Sequence, residues 1–398
     1  MEHKRNTFRT NYFDVFRRTV MWSKWYMNEE RRLIEKAVKT FAEKEVRPFI
    51  SAMEDEDKSP KELVLALTKL GFLGYTIPEE KGGSGVDWVN YGIVIEELGK
   101  VSGNMAFIAL LQGEVFAGFM ASLANEQQVE KFLKPALRGE YLLGGWVTEP
   151  GGINDLGSFE TKAQLDGDEW VINGGKIFAT NADSMDLAVV ACGPVDEVPS
   201  ADNIRYIIVP KDAAGFVPGH IENKVGFNGS RTGQIYLNDV RVPKENDLGL
   251  GTELFNYHMF LGYCGYAAAM LGGMETVFEQ TVGYLKQRMS GGKALWDTHE
   301  TIRFDIGKLW QAIDTYRNSL YGALVGMNNG TDMYLSMIAL KHDGERLMEH
   351  VCSECMSLYG GLGLVKETGI ERFYRDAKMY SMVCGSTKTL TGLISSQL

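Results

Sequence analysis

The chain has 398 residues and a formal net charge of −11 at pH 7, and 44% of its residues are hydrophobic and 23% are charged. These values are typical of a globular protein of two or three domains, and the acidic balance argues against nucleic acid as a partner. No apolar run in the sequence approaches the length of a membrane helix and no secretory segment is recognised, so we expect a cytoplasmic protein.

The first part of the chain is predicted to contain an N-terminal extension followed by helices. Residues 1–27 are basic and aromatic. A plain extension is favoured there over a docking helix, a membrane-surface helix or a targeting segment. In residues 28–146 apolar side chains such as Leu33, Val38 and Phe41 recur at helical spacing. We therefore expect an all-helical domain over 28–146.

A loop near the start of the next region has the composition of a binding loop. Gly151 and Gly152 let the backbone approach a ligand closely, and Thr148 and Asn154 offer short hydrogen-bonding side chains. These residues predict a loop that holds a ligand.

Strand and turn patterns surround this loop and predict a β-domain over 147–250. Turns at 166–168 and 173–175 separate short strands, and residues 176–181 bring an aromatic ring and a hydroxyl back towards the loop. Two later runs, near 206–210 and 234–243, are strand-like and end in proline.

Residues 251–398 are predicted to be helical again. Long amphipathic runs over 263–288, 298–324 and 335–358 have short connections, which predicts an antiparallel bundle. Cys352 and Cys355 form a CxxC pattern near His350, but no second pair completes a tetrahedral set, so no metal ligands are predicted. The five cysteines, an odd number in a long chain, indicate reduced thiols.

Several of these segments resemble motifs of the acyl-CoA dehydrogenase family. The loop TEPG at 148–151 and the segment FATN at 178–181 are similar to a motif pair in the middle domain of that family, and ERFYRDA at 371–377 is similar to a run near its C-terminus. The resemblance extends over about residues 28–398. It implies an α+β fold with an N-terminal helical domain, a central β-domain and a C-terminal four-helix bundle, and an assembly that is a homotetramer or homodimer.

The resemblance also implies FAD as cofactor and an acyl-CoA or acyl-carrier thioester as substrate. Electron-transferring flavoprotein would reoxidise the cofactor. In this interpretation Arg288 is offered to the FAD pyrophosphate of a neighbouring subunit, and a planar guanidinium suits that task. The implied flavin contacts are Thr148, Asn154, Phe178, Thr180, Arg288, Ser290, Ser357, Gly360, Gly361, Ser386 and Lys388.

The chain departs from the family at the catalytic base. Cys384 stands where a glutamate is usual, and Gly262, at the alternative position of the base, carries no carboxylate. Cys384 would act as a base only as a thiolate, which requires a cation or helix dipole to lower its pKa, and Lys388 is one turn away. Substitutes within reach of the alignment are Tyr263, Cys264 and Glu253.

Arg231 is a second departure, because an acid or a small residue usually stands there. We consider Arg231, with Tyr263, as a substrate-binding residue, and a surface arginine as the alternative. Three functions remain open: an FAD-dependent acyl-thioester oxidoreductase, a redox-neutral elimination such as desulfination of an acyl-CoA, and a non-catalytic subunit that pairs with an active paralogue.

Overall fold

The computed structural model describes residues 22–152 and 156–398. The first 21 residues of the predicted extension and the predicted flavin contact Asn154 lie outside the described residues.

The N-terminal domain is helical, as the apolar periodicity predicts. Some of its helices begin where a polar side chain accepts the free backbone N–H groups of the first turn: Asn28 accepts from Arg31, and Asp87 accepts from Val89 and Asn90. The helices are α1 Glu29–Phe41, α2 Arg47–Glu56, α3 Lys61–Lys69, α4 Trp88–Gly99, α5 Gly103–Leu110, α6 Phe119–Leu123, α7 Glu126–Gln128 and α8 Lys134–Leu137, with π-helical turns at Ala42–Val46, Leu111–Gly118 and Val129–Leu133.

One helical segment of this domain, from α5 to α6, is mostly apolar. The segment Gly103–Leu123 is long and apolar enough to cross a membrane by length and composition, but 89% of its most apolar window is buried inside the protein. The expectation that no apolar run reaches that length is therefore wrong for this segment. Its composition fits a helix that packs against protein all round.

The central domain contains two four-stranded sheets with the orders β1-β4-β5-β8 and β2-β3-β7-β6. The first strand already begins at Leu143, so the predicted domain boundary at 146 falls a few residues late. The strands are β1 Leu143–Trp146, β2 Lys162–Asp166, β3 Glu169–Ala179, β4 Leu187–Cys192, β5 Arg205–Pro210, β6 Phe216–Ile221, β7 Gly233–Pro243 and β8 Asp247–Leu250.

The predicted turn at 173–175 is wrong, because β3 continues through it to Ala179. The register between β3 and β7 shifts between Ile172 and Gly174, which is a bulge rather than a chain reversal. Gly174 has φ +143°, and a Cβ there would lie 2.5 Å from Thr161 Cα. The glycine that signals a turn in the sequence therefore permits a close approach of two backbones.

The C-terminal domain is built from long helices, as predicted. The predicted run at 263–288 begins eleven residues earlier in the structure, at Thr252. The elements are α9 Thr252–Gln287, β9 Met289–Ser290, β10 Lys293–Ala294, α10 Leu295–Thr298, α11 Glu300–Asn328, α12 Tyr334–Leu358, α13 Ile370–Tyr380 and α14 Thr387–Ser395.

The buried apolar residues form two cores, and the sheet that contains β4 separates them. Along β4, Val189 and Ala191 belong to a core shared with both helical domains, whereas Val190 and Cys192 belong to a core between the two sheets. Alternate residues of a strand point to opposite faces, which is why one fully apolar strand serves both cores.

Candidate active site

The loop that begins at Thr148 is fixed by a buried ion pair. Glu149 is buried, and its carboxylate accepts hydrogen bonds from the backbone N–H groups of Glu160 and Thr161 and from Lys176 Nζ at 2.5 Å. Lys176 is also buried, and its ammonium lies 4.2 Å from the centre of the Phe159 ring. Burial raises the pKa of the Glu149 carboxyl, but the charge and hydrogen bond of Lys176 outweigh it and hold that pKa below its usual range.

Three of the predicted flavin contacts lie beside this fixed loop. The N–H of Ile177 donates to the carbonyl of Thr148 at 2.9 Å, which brings the segment with Phe178 and Thr180 next to the loop. Phe178 has φ 50°, a left-handed conformation that non-glycine residues seldom adopt, and its side chain is 63% exposed. An exposed aromatic ring held in a costly conformation is typical of a ligand-binding position. We call Thr148, Phe178 and Thr180 the rim.

Cys384 also has a left-handed conformation, with φ 55°. Its Sγ lies 2.7 Å from the hydroxyl of Tyr266, and its carbonyl accepts a hydrogen bond from the hydroxyl of Tyr263 at 3.0 Å. Both tyrosines are on α9, so this helix holds the turn that carries Cys384.

A second pair of residues holds the same turn from α12. Lys341 donates to the carbonyl of Gly385 at 3.1 Å and forms an ion pair with Glu345, and both side chains are buried. The other oxygen of Glu345 accepts a hydrogen bond from the hydroxyl of Thr387 at 3.0 Å. Burial raises the pKa of Glu345, against the effect of Lys341. Glu345 is therefore a carboxylate that contacts the segment after Cys384, next to the predicted position of the base.

The Cys384 thiol lacks the property that a thiolate base needs. Burial raises its pKa above the ordinary value, although the Tyr266 hydrogen bond and the charge of Lys341 act in the opposite direction. The cation that acts on the thiol is thus Lys341, whereas Lys388, the one expected from the sequence, is exposed on α14. Cys384 is therefore poorly suited to act as a thiolate base.

Five of the remaining predicted flavin contacts lie at one end of the helical bundle, whereas Ser386 and Lys388 lie in the segment after Cys384. Arg288 and Ser290 are exposed at the start of the β9–β10 hairpin. Tyr284 and Tyr359 stack with their ring centres 4.2 Å apart, so this end of α9 lies beside the C-terminal end of α12. The C-terminal end of α12 and the turn that follows it carry Ser357, Gly360 and Gly361, which are all exposed. Ser386 accepts the backbone N–H of Thr389 and caps α14.

Arg231 is engaged within the protein, which corrects its assignment to the substrate. Its guanidinium forms ion pairs with Asp183 and, at 2.9 Å, with Asp57. Asp57 follows α2, so Arg231 joins the N-terminal domain to the β-domain. Its charge is balanced by two carboxylates and is not available for an acidic acyl group. Tyr263 remains at the site, but as a contact of the Cys384 backbone.

Sequence reasoning missed Tyr266, Lys341 and Glu345. A lysine and a glutamate four residues apart on an otherwise apolar helix face are a usable signal, because charges seldom lie there unless they are paired. Two residues that the sequence offers as substitutes for the base are poorly suited to that role. Cys264 is fully buried and burial raises its pKa, and Glu253 is exposed in the first turn of α9.

The CxxC residues Cys352 and Cys355 are buried thiols of α12, and burial raises the pKa of both. Within residues 22–152 and 156–398, no three His, Cys, Asp or Glu side chains lie close enough together to hold a metal ion.

Each of the three domains matches a domain of the acyl-CoA dehydrogenases. Residues 28–140 match the N-terminal domain of acyl-CoA dehydrogenases, residues 144–240 match the middle domain, and residues 251–398 match the C-terminal domain.

Individual proteins of known activity match over almost their full length. The caffeyl-CoA reductase-Etf complex subunit CarC of Acetobacterium woodii is 30% identical over 94% of this chain and 99% of its own. A short-chain specific acyl-CoA dehydrogenase of Clostridium acetobutylicum is 30% identical over 94% and 98%. The structure of butyryl-CoA dehydrogenase from Megasphaera elsdenii superposes with a TM-score of 0.88 at 28% identity, covering 93% of this chain and 98% of that one.

Proposed function

The chain belongs to the acyl-CoA dehydrogenase family, and from this premise we propose that it is an FAD-dependent oxidoreductase that acts on an acyl thioester. The observation that carries this proposal is the rim: an exposed Phe178 in a left-handed conformation, beside a loop that the Glu149–Lys176 pair fixes. Such a surface fits a planar ring system, because an aromatic side chain stacks on it and hydroxyls reach its polar edge.

The residues that would hold FAD fall into two groups. Thr148, Phe178 and Thr180 would contact the flavin ring, and the exposed Arg288 would offer paired donors to the pyrophosphate of a neighbouring subunit's cofactor. Gly360 and Gly361 would allow the cofactor to approach the backbone closely at the end of α12. No heavy atom of the described residues lies within 4 Å of a Cβ built on either glycine. This arrangement requires a homo-oligomer.

The chemistry that FAD supplies when bound is the acceptance of a hydride from the β-carbon of the acyl group. The protein must also accept the proton from the α-carbon, because desaturation removes a hydride from the β-carbon and a proton from the α-carbon. Cys384, Tyr266 and Lys341 form the group of side chains at the position of the usual base. We propose an electron-transferring flavoprotein as the electron partner, and the name of the relative from Acetobacterium woodii supports that choice.

An absorption spectrum of the purified protein tests the proposal, recorded before and after anaerobic addition of a panel of acyl-CoAs. We expect a flavin band that bleaches with substrate. A band that persists while thioester is consumed would indicate elimination, and a protein without a flavin band even after reconstitution with FAD would contradict the proposal in favour of a partner subunit.

The Arg288→Ala variant tests the assigned cofactor contacts. We expect its FAD content to fall well below that of the Lys286→Ala variant, because Lys286, two residues earlier, lies over the ring of Trp296 in its own chain. Equal FAD content in the two variants would remove Arg288 from the cofactor site.

The contact between the Cys384 thiol and the Tyr266 hydroxyl favours a second direction of the same reaction, reduction of a 2-enoyl thioester. Reduction needs a group that delivers a proton to the α-carbon, and the thiol and the hydroxyl, 2.7 Å apart, are two such groups in contact. The test adds a 2-enoyl-CoA to dithionite-reduced protein and follows the return of the flavin absorbance. A faster return than the bleaching by the saturated thioester would assign the reductive direction.

A further inference from the structure

Ser122, His258 and Glu114 form a hydrogen-bonded chain outside the site described above. Ser122 Oγ lies 2.6 Å from His258 Nε2, and His258 Nδ1 lies 2.8 Å from Glu114 Oε1. Glu114 and His258 are buried, whereas Ser122 is exposed. The two imidazole nitrogens therefore face a buried carboxylate and an accessible hydroxyl, which is the arrangement that activates a serine nucleophile.

The local structure explains how these side chains meet. Glu114, Gly118 and Ser122 are four residues apart, so they follow one face of the helical segment Gly103–Leu123, and its part Leu111–Gly118 is π-helical. His258 approaches this face from α9. A Cβ on Gly118 would lie 3.1 Å from His258 Nδ1 and 3.2 Å from the Glu114 carboxylate. The glycine thus leaves the space that the imidazole needs.

We propose that Ser122, His258 and Glu114 form a second catalytic site that transfers the acyl group of a small apolar ester or thioester to water. With the Nδ1–H of His258 donated to Glu114, Nε2 accepts the hydroxyl proton of Ser122, and it lies nearer to Oγ, at 2.6 Å, than the Gly118 carbonyl at 3.3 Å. The large apolar side chains Leu254 and Tyr257 are partly exposed on the same part of α9 and give an acyl chain an apolar surface.

The reaction is redox-neutral and balanced. Ser122 Oγ bonds to the carbonyl carbon while its proton passes to His258, and the alcohol or thiol leaves with that proton. A water molecule then attacks the acyl-serine, its proton passes to His258 and returns to Ser122, and a carboxylic acid is released. The first backbone N–H groups of α9 have no intrahelical acceptor, and in this proposal they would donate to the oxyanion. The start of α9 packs against Leu123, the residue after Ser122: a Cβ on Gly251 would lie 2.7 Å from Leu123 Cδ1.

A fluorophosphonate probe, which reacts with activated serines and displaces fluoride, tests the proposal on the full-length holoprotein. Intact mass and peptide mapping should show one adduct, on Ser122, that is absent from Ser122→Ala. Labelling should be slower by about 100-fold or more in His258→Gln, the usual effect of removing a general base. The matched control is Ser319→Ala, since Ser319 is an exposed serine of α11 whose hydroxyl donates to the carbonyl of Thr315 at 3.0 Å, and labelling should be unchanged.

The folded state of each variant is checked by its melting temperature, because His258→Gln alters a buried contact. If that variant is unfolded, Gly118→Ala replaces it, and displacement of the imidazole should slow labelling in the same way. The proposal is overturned if the folded protein is not labelled, if the adduct lies on another residue, or if labelling does not depend on His258 or Gly118. Because the probe does not involve flavin, these results are independent of the spectroscopic test of the proposed function.

Discussion

At the scale of single residues, Cys384 occupies the position at which we propose that the proton at the α-carbon is handled. Burial raises the pKa of its thiol, and Tyr266 and Lys341 are the groups around it. We predict that Cys384→Glu increases the rate at which an acyl-CoA bleaches the flavin by about 100-fold, because a positioned carboxylate acts as a general base. Stopped-flow absorbance measures this rate.

The control for this prediction is Cys384→Ser, which keeps the size and polarity of the side chain without an ionisable group. We expect no gain in rate from it. A gain as large as that of the glutamate variant, or no gain from the glutamate, would show that a missing carboxylate does not limit the reaction.

Asp376 is a second residue whose environment has a measurable consequence. It is buried, and burial raises its pKa to about 6 although Arg372 and the N–H of Phe227 oppose this. A carboxyl with a higher pKa in the folded than in the unfolded state stabilises the fold at low pH, and this stabilisation is lost as the pH rises to about 6. The difference between this pKa and that of an ordinary aspartate corresponds to about 3 kcal/mol of stability at low pH.

The variant Asp376→Asn should remove this pH dependence, because the amide oxygen still accepts from Phe227 and no proton is bound or released. We predict that the free energy of unfolding of the wild-type chain, relative to the variant, falls between pH 4 and pH 6.5. Urea denaturation at several pH values measures it. A difference that stays constant across this range would contradict the raised pKa.

At the scale of elements, the loop after β1 depends on one ion pair with β3. We predict that Lys176→Met destabilises the protein by about 3 to 5 kcal/mol, because it leaves the Glu149 carboxylate buried without its partner. FAD content should fall as well, since the same pair fixes the rim. Urea denaturation and the flavin absorbance measure the two effects.

The matched control is Lys244→Met, which removes a lysine that pairs with Asp168 at the surface of the same domain. Exposed ion pairs contribute little, so we expect a much smaller change in stability and an unchanged flavin content. Equal losses in the two variants would mean that the Glu149–Lys176 pair does not hold the loop.

The elements of the site differ in how far the sequence predicts them. The Thr148 loop and the hairpin around Gly167 were predicted because glycine, proline and alternation act locally, and the structure confirms the hairpin between β2 and β3. The continuation of β3 past Gly174 was not, because a bulge glycine and a turn glycine have the same local signal.

Contacts between distant segments were the part that the sequence did not predict. Glu345 reaches Thr387 across 42 residues and His258 reaches Glu114 across 144, and nothing in the local pattern relates them. The engagement of Arg231 by Asp57 and Asp183 has the same origin, since both partners come from other segments of the fold. Side-chain pairing of this kind depends on helix packing, which is a tertiary property.

At the scale of the whole molecule, the two helical domains share one apolar core and one buried charge network. Arg317 on α11 is buried and forms ion pairs with Glu96 of α4 and Glu275 of α9, and it also donates to the hydroxyl of Tyr26. Tyr26 stacks on Tyr321 with the ring centres 3.5 Å apart. The network therefore connects the segment before α1, the N-terminal domain and the C-terminal bundle.

This connection predicts that the two helical domains lose stability together. Arg317→Met should lower the free energy of unfolding by about 3 to 5 kcal/mol, because Glu96 and Glu275 stay buried and keep only Lys100 as a shared cation. Circular dichroism and tryptophan fluorescence should still report one transition in urea. The control is Arg241→Met, whose partners Asp166 and Glu169 are exposed, and which should change stability far less. Two distinct transitions in Arg317→Met would mean that the helical domains unfold independently in the variant. The charge network alone would then make them unfold together in the wild-type chain. If Arg317→Met costs no more than Arg241→Met, the shared apolar core alone unites the domains.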